Sequence, residues 1–443
     1  MAKYVVKFGG SSLADAEQFR KVKSIIESDG KRRYVIPSAP GKRFGADTKV
    51  TDMLYDCYDA VTNGGTPEKE FKAIAERFDG IINDLRLDLS LENEYAVILE
   101  NFKNKAGRDY AASRGEYLNG IILANFLGFA FVDAAKAIFF RNSESGGEFD
   151  ADLTNAALTA LLEKERYAVI PGFYGALPDG TIKTFSRGGS DVTGSIVARA
   201  IKANLYENWT DVSGFLAADP RIVDEPKVIR VITYRELREL SYMGATVLHE
   251  DSIFPVRAAK IPINIRNTNE PSAPGTMIVH DAPEDGDTPV ITGIAGRKNF
   301  SVISMEKDGM NNEVGFLRRI LTLFESQGIN FEHIPSGIDT LSVVLSTAVI
   351  EKHPNIIELI NQVARPNHIE VEHGISMIAI VGRGMKERRG TAARIFSALS
   401  HARINIRVID QGSSELNVIV GIKESDFEKA IKSLYDVFML SES

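Results

Sequence analysis

Two hydrophobic rhythms alternate along this chain. Short apolar, β-prone runs recur at 4–6, 34–36, 129–132, 167–170 and 263–265, and several end in Gly, Pro or Ser turns. Helical patterns lie between them. Segment 15–26, for example, places Phe19, Val22, Ile25 and Ile26 on one stripe, and 192–203 also reads as a helix. Near-continuous apolar strands separated by helices predict a largely parallel sheet covered on both faces. Ligands of such sheets gather beyond the carboxyl ends of the strands. Lys7–Gly10, Ser38 and Pro171-Gly172 each follow a predicted strand, so one rim could carry all three.

The alternation stops near residue 290. Segment 281–287 is acidic and turn-rich and reads as a linker. Past it, a shift of 75 residues aligns the chain with itself without a gap. Ser301 falls on Ser376, Ile303 on Ile378, Gly315 on Gly390, Ile320 on Ile395, Ile329-Asn330 on Ile404-Asn405 and Leu341 on Leu416. The matches are core-type residues in a strand–helix–strand–strand–helix order, which predicts two copies of a small βαββαβ unit. Each copy alone has an open edge and a bare face that pairing would cover. The end of the second copy, 434–440, reads equally as helix or strand.

Composition narrows the classes. A chain of 443 residues exceeds one ordinary core, and its 44% hydrophobic and 25% charged residues are those of a globular protein. A net charge of -8 argues against general nucleic-acid binding but leaves room for a locally basic site. Cys57, the only cysteine, rules out an internal disulfide and a Cys-based zinc site and fits a reducing cytoplasm. Segment 121–140 is interrupted by Asn125, Asp133 and Lys136, so it reads as a buried helix, a Gly128 stop and a strand, with no membrane span. The N-terminus reads as a strand with no apolar leader. Seven histidines do not cluster, and no GxxxxGK[ST], HExxH or GxSxG pattern occurs. A metal would come mainly with phosphates, as Mg²⁺ does.

Four stretches carry candidate chemistry. Lys7-Phe8-Gly9-Gly10-Ser11-Ser12 is a strand–glycine turn–helix transition with a cation, the geometry that cradles phosphate, although a plain tight turn fits the hexapeptide equally well. Ser186-Arg187-Gly188-Gly189-Ser190-Asp191 is a second glycine-rich cradle; Arg187 suits a bidentate grip on carboxylate or phosphate, and Asp191 could cap the following helix. Ser113-Arg114-Gly115-Glu116 is placed at the opening of a helix over 117–127, where Glu116 either complements the dipole or holds an ammonium. Thr210-Asp211-Val212-Ser213-Gly214 and Ala218-Asp219-Pro220-Arg221 read as loops over a nucleotide or as ordinary turns.

Together these stretches resemble the aspartate kinases of the amino-acid kinase family. The hexapeptide is similar to the family's KFGGTS and 186–191 to its GRGGSD. Segments 210–221 resemble TDVxGxxTxDPR, Met243-Gly244-Ala245-Thr246-Val247-Leu248-His249 resembles FGAxVLHP, and Ile265-Arg266-Asn267-Thr268 resembles RxRNT. Ser11, Ser186, Leu216 and Glu250 depart from those patterns without removing a charge the chemistry needs. The C-terminal repeat resembles a pair of ACT domains.

The resemblance implies a three-layer αβα sandwich with a mainly parallel sheet over 1–285, and ACT domains over 295–373 and 374–443. It implies a monofunctional enzyme, since nothing like a homoserine dehydrogenase follows. The implied reaction is transfer of the γ-phosphoryl group of ATP, with Mg²⁺, to the β-carboxylate of L-aspartate, giving 4-phospho-L-aspartate. By similarity, Lys7 stabilises the phosphoryl charge, Asp191 holds Lys7, and Gly9, Gly10, Ser11, Thr210, Asp211, Asp219 and Arg221 contact ATP. Ser38, Thr51 and Ser190 lie near substrate, Glu116 takes the aspartate ammonium and Arg187 its α-carboxylate. An amino-acid effector, lysine first and threonine second, is implied at Met310, Gly315, Phe316, Leu317, Asn330, Phe331, Glu332 and Ser336, with assembly into a homodimer or tetramer through the ACT domains. A sister kinase for glutamate, acetylglutamate or a nucleotide is disfavoured by the Asp219-Pro220-Arg221 segment and the repeat. A silent amino-acid sensor is disfavoured because Lys7, Glu116 and Arg187 are all present.

Overall fold

The β-prone runs of the first part assemble, in the computed structural model, into one eight-stranded sheet. Residues 2–143, 147–186, 188–245, 248, 250–282, 288–386 and 388–440 are described. Strand order is Val231–Thr233, Thr276–Val279, Ile263–Asn267, Leu205–Thr210, Tyr4–Phe8, Arg32–Pro37, Ala168–Val169 and Ala130–Phe131. Every pairing is parallel except that of Ile263–Asn267 with Thr276–Val279. The chain forms two compact units: Met1–Phe215 with Val228–Tyr234 and Val247–Ala282, and Leu216–Lys227 with Arg235–Thr246 and Pro283–Ser443.

Side-chain alternation divides the first unit's sheet into two faces. Val6, Phe8 and Trp209 join a core with Phe19 and Val22 of helix Ala16–Glu27, Phe78 of Glu68–Leu85, Phe102 of Glu92–Lys103 and Ile122 of Arg108–Leu127. Helix Gly189–Ala200 covers the other face over Tyr4–Phe8 and packs on Glu250–Ala258. Asp15 starts the first helix as its N-cap, accepting from the Gln18 amide at 3.0 Å.

Helix Arg108–Leu127 corrects one expectation. It begins well before residue 117, so Ser113–Glu116 lie inside it and Glu116 is no helix-terminal residue. Gly115 marks a close approach: a Cβ there would come 2.7 Å from that of Ala39. The helix ends at Gly128, whose φ of 68° is the left-handed stop read from the sequence.

The second unit holds a five-stranded antiparallel sheet in the order Thr340–Ser346, Gly293–Glu306, His368–Val381, Asn417–Lys423, Ile406–Asp410. The two repeats share it. Helices Phe316–Ser326 and Thr391–His401 occupy equivalent places, each preceded by a left-handed glycine, Gly315 (φ 82°) or Gly390 (φ 84°). Gly293–Glu306 and His368–Val381 are each 14 residues long and serve both copies. Residues 300–306 pair with Thr340–Ser346, and 302–306 with 368–372, in the first copy, whereas 293–297 pair with 377–381 in the second. The chain closes the second copy with that leading segment, because Asp436–Leu440 is helical.

Two segments from within the kinase-like part belong to this second unit. Ala217 donates to Lys227 O (2.9 Å) and accepts from the Ile294 amide (2.8 Å). Glu236, fully buried, accepts from Thr292 Oγ1 (2.5 Å), the Arg383 amide (3.0 Å) and Arg383 Nη1 (3.1 Å). Part of the linker stretch, 283–287, lies outside the described residues.

Candidate active site

The site is built at the carboxyl end of the strand Tyr4–Phe8. Lys7 stands opposite Asn208 in the parallel register, and both point to the face covered by helix Gly189–Ala200. Asp191, in that helix's first turn, meets Lys7 Nζ at 2.7 Å. Asn208 Nδ2 donates to Asp191 Oδ1 at 2.8 Å, and Asn208 Oδ1 is 3.5 Å from Lys7 Nζ. Asp191 therefore holds a lysine and does not cap its helix. With both partners mostly buried, the ammonium is fixed in direction before any ligand arrives.

The glycine turn follows directly. Gly9 N donates to Trp209 O (3.0 Å), so this amide is committed to the sheet. Gly10 O accepts from Gly41 N (2.8 Å). A Cβ on Gly10 would come 2.8 Å from Ala39 O, and one on Gly41 would come 2.6 Å from Gly10 C. Two backbones thus pass with no room for a side chain, which is the physical reason for both glycines. Ser11 is exposed, and Ser12 is buried with its hydroxyl 2.7 Å from Thr268 Oγ1.

The neighbouring strand ends bring in the other candidates. Ser38 N donates to Phe8 O (3.1 Å), and Asn119 Nδ2 donates to Ser38 O (2.7 Å). Gly172 N donates to Pro37 O (3.1 Å), and Gly172 packs so closely on Ser190 that a Cβ would lie 2.6 Å from Ser190 Oγ. Thr51 is half-buried in the first turn of helix Val50–Thr62.

Glu116 is the electrostatic anomaly. It is 6% exposed, and its Oε2 has no hydrogen-bond partner. Burial pushes its carboxyl up to about 8, against the opposing pull of a backbone hydrogen bond from Ala39 and the charges of Arg114 and Lys7. An uncompensated buried carboxyl beside a fixed lysine is suited to receive a cation. Arg114 does not supply it: its guanidinium lies over the rings of Tyr110 (4.6 Å) and Tyr117 (4.5 Å) and donates to Ser113 Oγ.

Thr210 Oγ1 is 3.1 Å from the exposed Asp211 carboxylate at the end of Leu205–Thr210. Asp219 and Arg221 belong to the second unit, paired at 2.6 Å. Arg187 lies outside the described residues, as do Thr246, Val247 and His249. The sequence reading missed Asn208. Its role depends on strand register, which no local motif encodes. Among the described residues no three His, Cys, Asp or Glu side chains gather as metal ligands, and no helix is long and apolar enough to cross a membrane.

Of the effector candidates in the second unit, Met310 and Phe316 lie in the apolar cluster around Ile320, Phe324 and Val343. Leu317, Asn330, Phe331 and Ser336 are exposed, and Gly315 is the helix N-cap. The Glu332 amide donates to Val344 O (2.9 Å), and its carboxylate accepts from Tyr242 Oη and lies 4.0 Å from Arg297 Nη1.

Comparison with known proteins places this arrangement. Residues 2–267 match the amino acid kinase family and 378–438 match an ACT domain. Aspartokinase 3 of Bacillus subtilis (strain 168) is 38% identical over 98% of this chain and 98% of its own length. The aspartate kinase of Clostridium acetobutylicum superposes with a TM-score of 0.89 at 52% identity, covering 99% of this chain and 100% of that one. E. coli aspartokinase III shares the fold, with a TM-score of 0.72 at 24% identity over 98% of this chain and 99% of that one. The fixed lysine, the close-packed glycine turn and these full-length likenesses lead to one assignment: the chain belongs to the amino acid kinase family, among its aspartate kinases.

Proposed function

We propose that the enzyme transfers the γ-phosphoryl group of ATP to the β-carboxylate of L-aspartate, giving 4-phospho-L-aspartate and ADP, as the first step towards lysine, threonine and methionine. The observation that carries this reading is the pairing of a pre-oriented cation, Lys7 held by Asp191, with the buried Glu116, whose Oε2 has no hydrogen-bond partner. A carboxylate substrate attacks phosphorus itself, so no protein nucleophile is required. Catalysis is alignment of two anions and neutralisation of charge on the phosphoryl oxygens.

Lys7 takes that charge. The backbone about Gly10 and Ser11 holds the phosphates, and Thr210 and Asp211 contact the nucleotide. Glu116 receives the substrate ammonium, with Ser38, Thr51 and Ser190 around it and Arg187 on the α-carboxylate. Mg²⁺ enters on the phosphates, in keeping with its preference for phosphate and water oxygens, and supplies further charge neutralisation there.

The repeats carry feedback inhibition by an amino acid, lysine before threonine. Glu332 supports this reading, since its carboxylate already faces a hydroxyl and a guanidinium that an ε-ammonium could displace. E. coli aspartokinase III has been seen with aspartate and ADP and, separately, with lysine and aspartate. Assembly is a homodimer or tetramer through the ACT domains; the exposed Val314, Leu317, Phe331 and Ile338 of the first copy support it. The enzyme acts in the cytoplasm, in keeping with its single, buried Cys57.

The test is ATP- and Mg²⁺-dependent acyl-phosphate formation from L-aspartate, trapped with hydroxylamine, with lysine or threonine added. Hydroxamate that falls with lysine supports both parts. Hydroxamate insensitive to both amino acids removes the effector assignment, and its absence with aspartate removes the substrate assignment.

A further inference from the structure

A cavity of about 500 Å³ opens in the first unit on the sheet face opposite Lys7. Alternation along Leu205–Thr210 sets this: Asn208 points to Lys7 and Asp191, whereas Glu207 and Trp209 point the other way. Helix Ala16–Glu27 contributes Lys21 and Ser24 to the wall, and the stretch after Ile263–Asn267 contributes Thr268 and Asn269. Arg32, Arg266 and Trp209 line it as well.

The charges at this cavity do not balance. Glu207, a buried carboxylate behind the lining, is already engaged. Arg32 grips it through Nε (2.7 Å) and Nη2 (3.0 Å), and Trp209 Nε1 donates to it at 3.0 Å. Arg266 comes no nearer than 3.7 Å to that carboxylate. Its Nη2 donates to the carbonyls of Pro271 (2.6 Å) and Ala273 (3.3 Å), and its Nε has no partner. Burial lowers the affinity of this guanidinium for its proton, and Arg32 adds to that, against the opposing pull of Glu207. Lys21 Nζ adds a second cation, 3.1 Å from Asn269 Oδ1 and 3.2 Å from the exposed Glu17. Three cations thus line the space, set against two carboxylates outside its lining, the buried Glu207 and the exposed Glu17. The arginine of the Ile265–Thr268 motif, which the kinase chemistry leaves unused, is the least compensated of them.

We propose that this cavity is a second anion site, which takes a small dianion bearing a phosphate or carboxylate group between Arg266 and Lys21. A planar fork from the strand Ile263–Asn267 and an ammonium from helix Ala16–Glu27 suit two oxygens of one such group. The ring faces of Trp209 lie against the guanidiniums of Arg32 (5.3 Å) and Arg266 (4.5 Å), which leaves no platform for a base and favours a compact ligand over a nucleotide. Thr268 shares its hydroxyl bond with Ser12, so an occupant sits directly behind the glycine turn.

Trp209 is the only tryptophan in the chain and lines this cavity, so its fluorescence responds to an occupant, while the Lys7→Ala control separates that response from one at the neighbouring glycine turn. The full-length protein is titrated separately with inorganic phosphate and with succinate, at an ionic strength held constant with chloride, and the same titrations are followed by calorimetry. Saturable binding of one or both is expected, and the two arms distinguish phosphate from dicarboxylate. Lys21→Gln should weaken it roughly ten- to a hundredfold, the effect of losing one charge-assisted hydrogen bond. Arg266→Gln should abolish it, and Lys7→Ala should leave it intact. Should Arg266→Gln not fold, Lys21→Gln decides. The proposal is overturned by a response no different from that to chloride, by silence in both measurements, or by a signal lost in Lys7→Ala and kept in Lys21→Gln.

Discussion

Glu116→Gln should make this protein more stable and a poorer enzyme, and the gain should depend on pH in a defined direction. In the folded chain the carboxyl is pushed from its ordinary 4.5 up to about 8. Between those values the native state holds a proton that the unfolded chain has released. Stability therefore falls as pH rises through the window and levels off above about 8. Each pH unit is worth about 1.4 kcal/mol, so the cost is about 2 kcal/mol at pH 6 and about 4 kcal/mol at pH 8. Glutamine cannot ionise and carries no such slope. Urea unfolding followed by Trp209 fluorescence, which reports the first unit, should give curves for the two proteins that separate progressively between pH 5 and 8. Parallel curves would refute the reasoning. The functional arm uses the same proton. If the substrate ammonium pairs with Glu116, aspartate binding near pH 6.5 must release a proton, seen as a binding enthalpy that varies with the ionisation heat of the buffer. The variant should show none, and its KM for aspartate should rise more than its kcat falls.

Lys7→Ala should lower kcat by roughly 10²–10³ with a smaller change in KM, and Asp191→Asn should do so less, since it keeps a hydrogen bond while losing the charge; equal kcat values for wild type and Lys7→Ala would remove the proposed role of this lysine. Gly10→Ala should cost roughly ten- to a hundredfold in kcat/KM for ATP, because its Cβ would press on Ala39 O and displace the turn; unchanged ATP kinetics would show that the approach is not needed. Glu207→Gln should cost about 3–5 kcal/mol, as it leaves Arg32 buried without a counter-charge; an unaltered urea midpoint would count against this.

What could be read from the sequence was local. Lys7–Ser12, the strand before it and the helix after it declare themselves within about twenty residues, because turn chemistry and hydrophobic period are short-range properties. The second cradle is similar: a helix follows it as read, Gly189–Ala200, although Asp191 does not cap it. Properties set by distant pairing were not visible. Asn208 matters because it stands opposite Lys7 across a strand pair, 201 positions away. Ser113–Glu116 read as the opening of a helix, whereas Gly115 lies inside a longer one, where that helix passes close to Ala39. The membership of 235–246 in the second unit rests on Glu236 meeting Arg383, 147 residues later. The repeat was plain from its 75-residue period, but self-similarity does not say which strand closes which copy.

The shared strand Gly293–Glu306 has a mechanical consequence. At about 3.3 Å per residue, 14 residues span at most about 46 Å, with an irregularity in the middle where the register shifts between Arg297 and Val302 and Asn299 has φ 67°. Its far end is laced into the first copy by Thr340–Ser346, its near end into the second by 377–381, and the near end also grips Ala217 through the Ile294 amide. Two domains joined by a flexible tether can absorb strain at the joint. Here the joint is itself a strand, hydrogen-bonded on both sides of that irregularity, so the two copies and Ala217, two residues before the Asp219-Pro220-Arg221 segment, are joined by one paired backbone with no free linker between them.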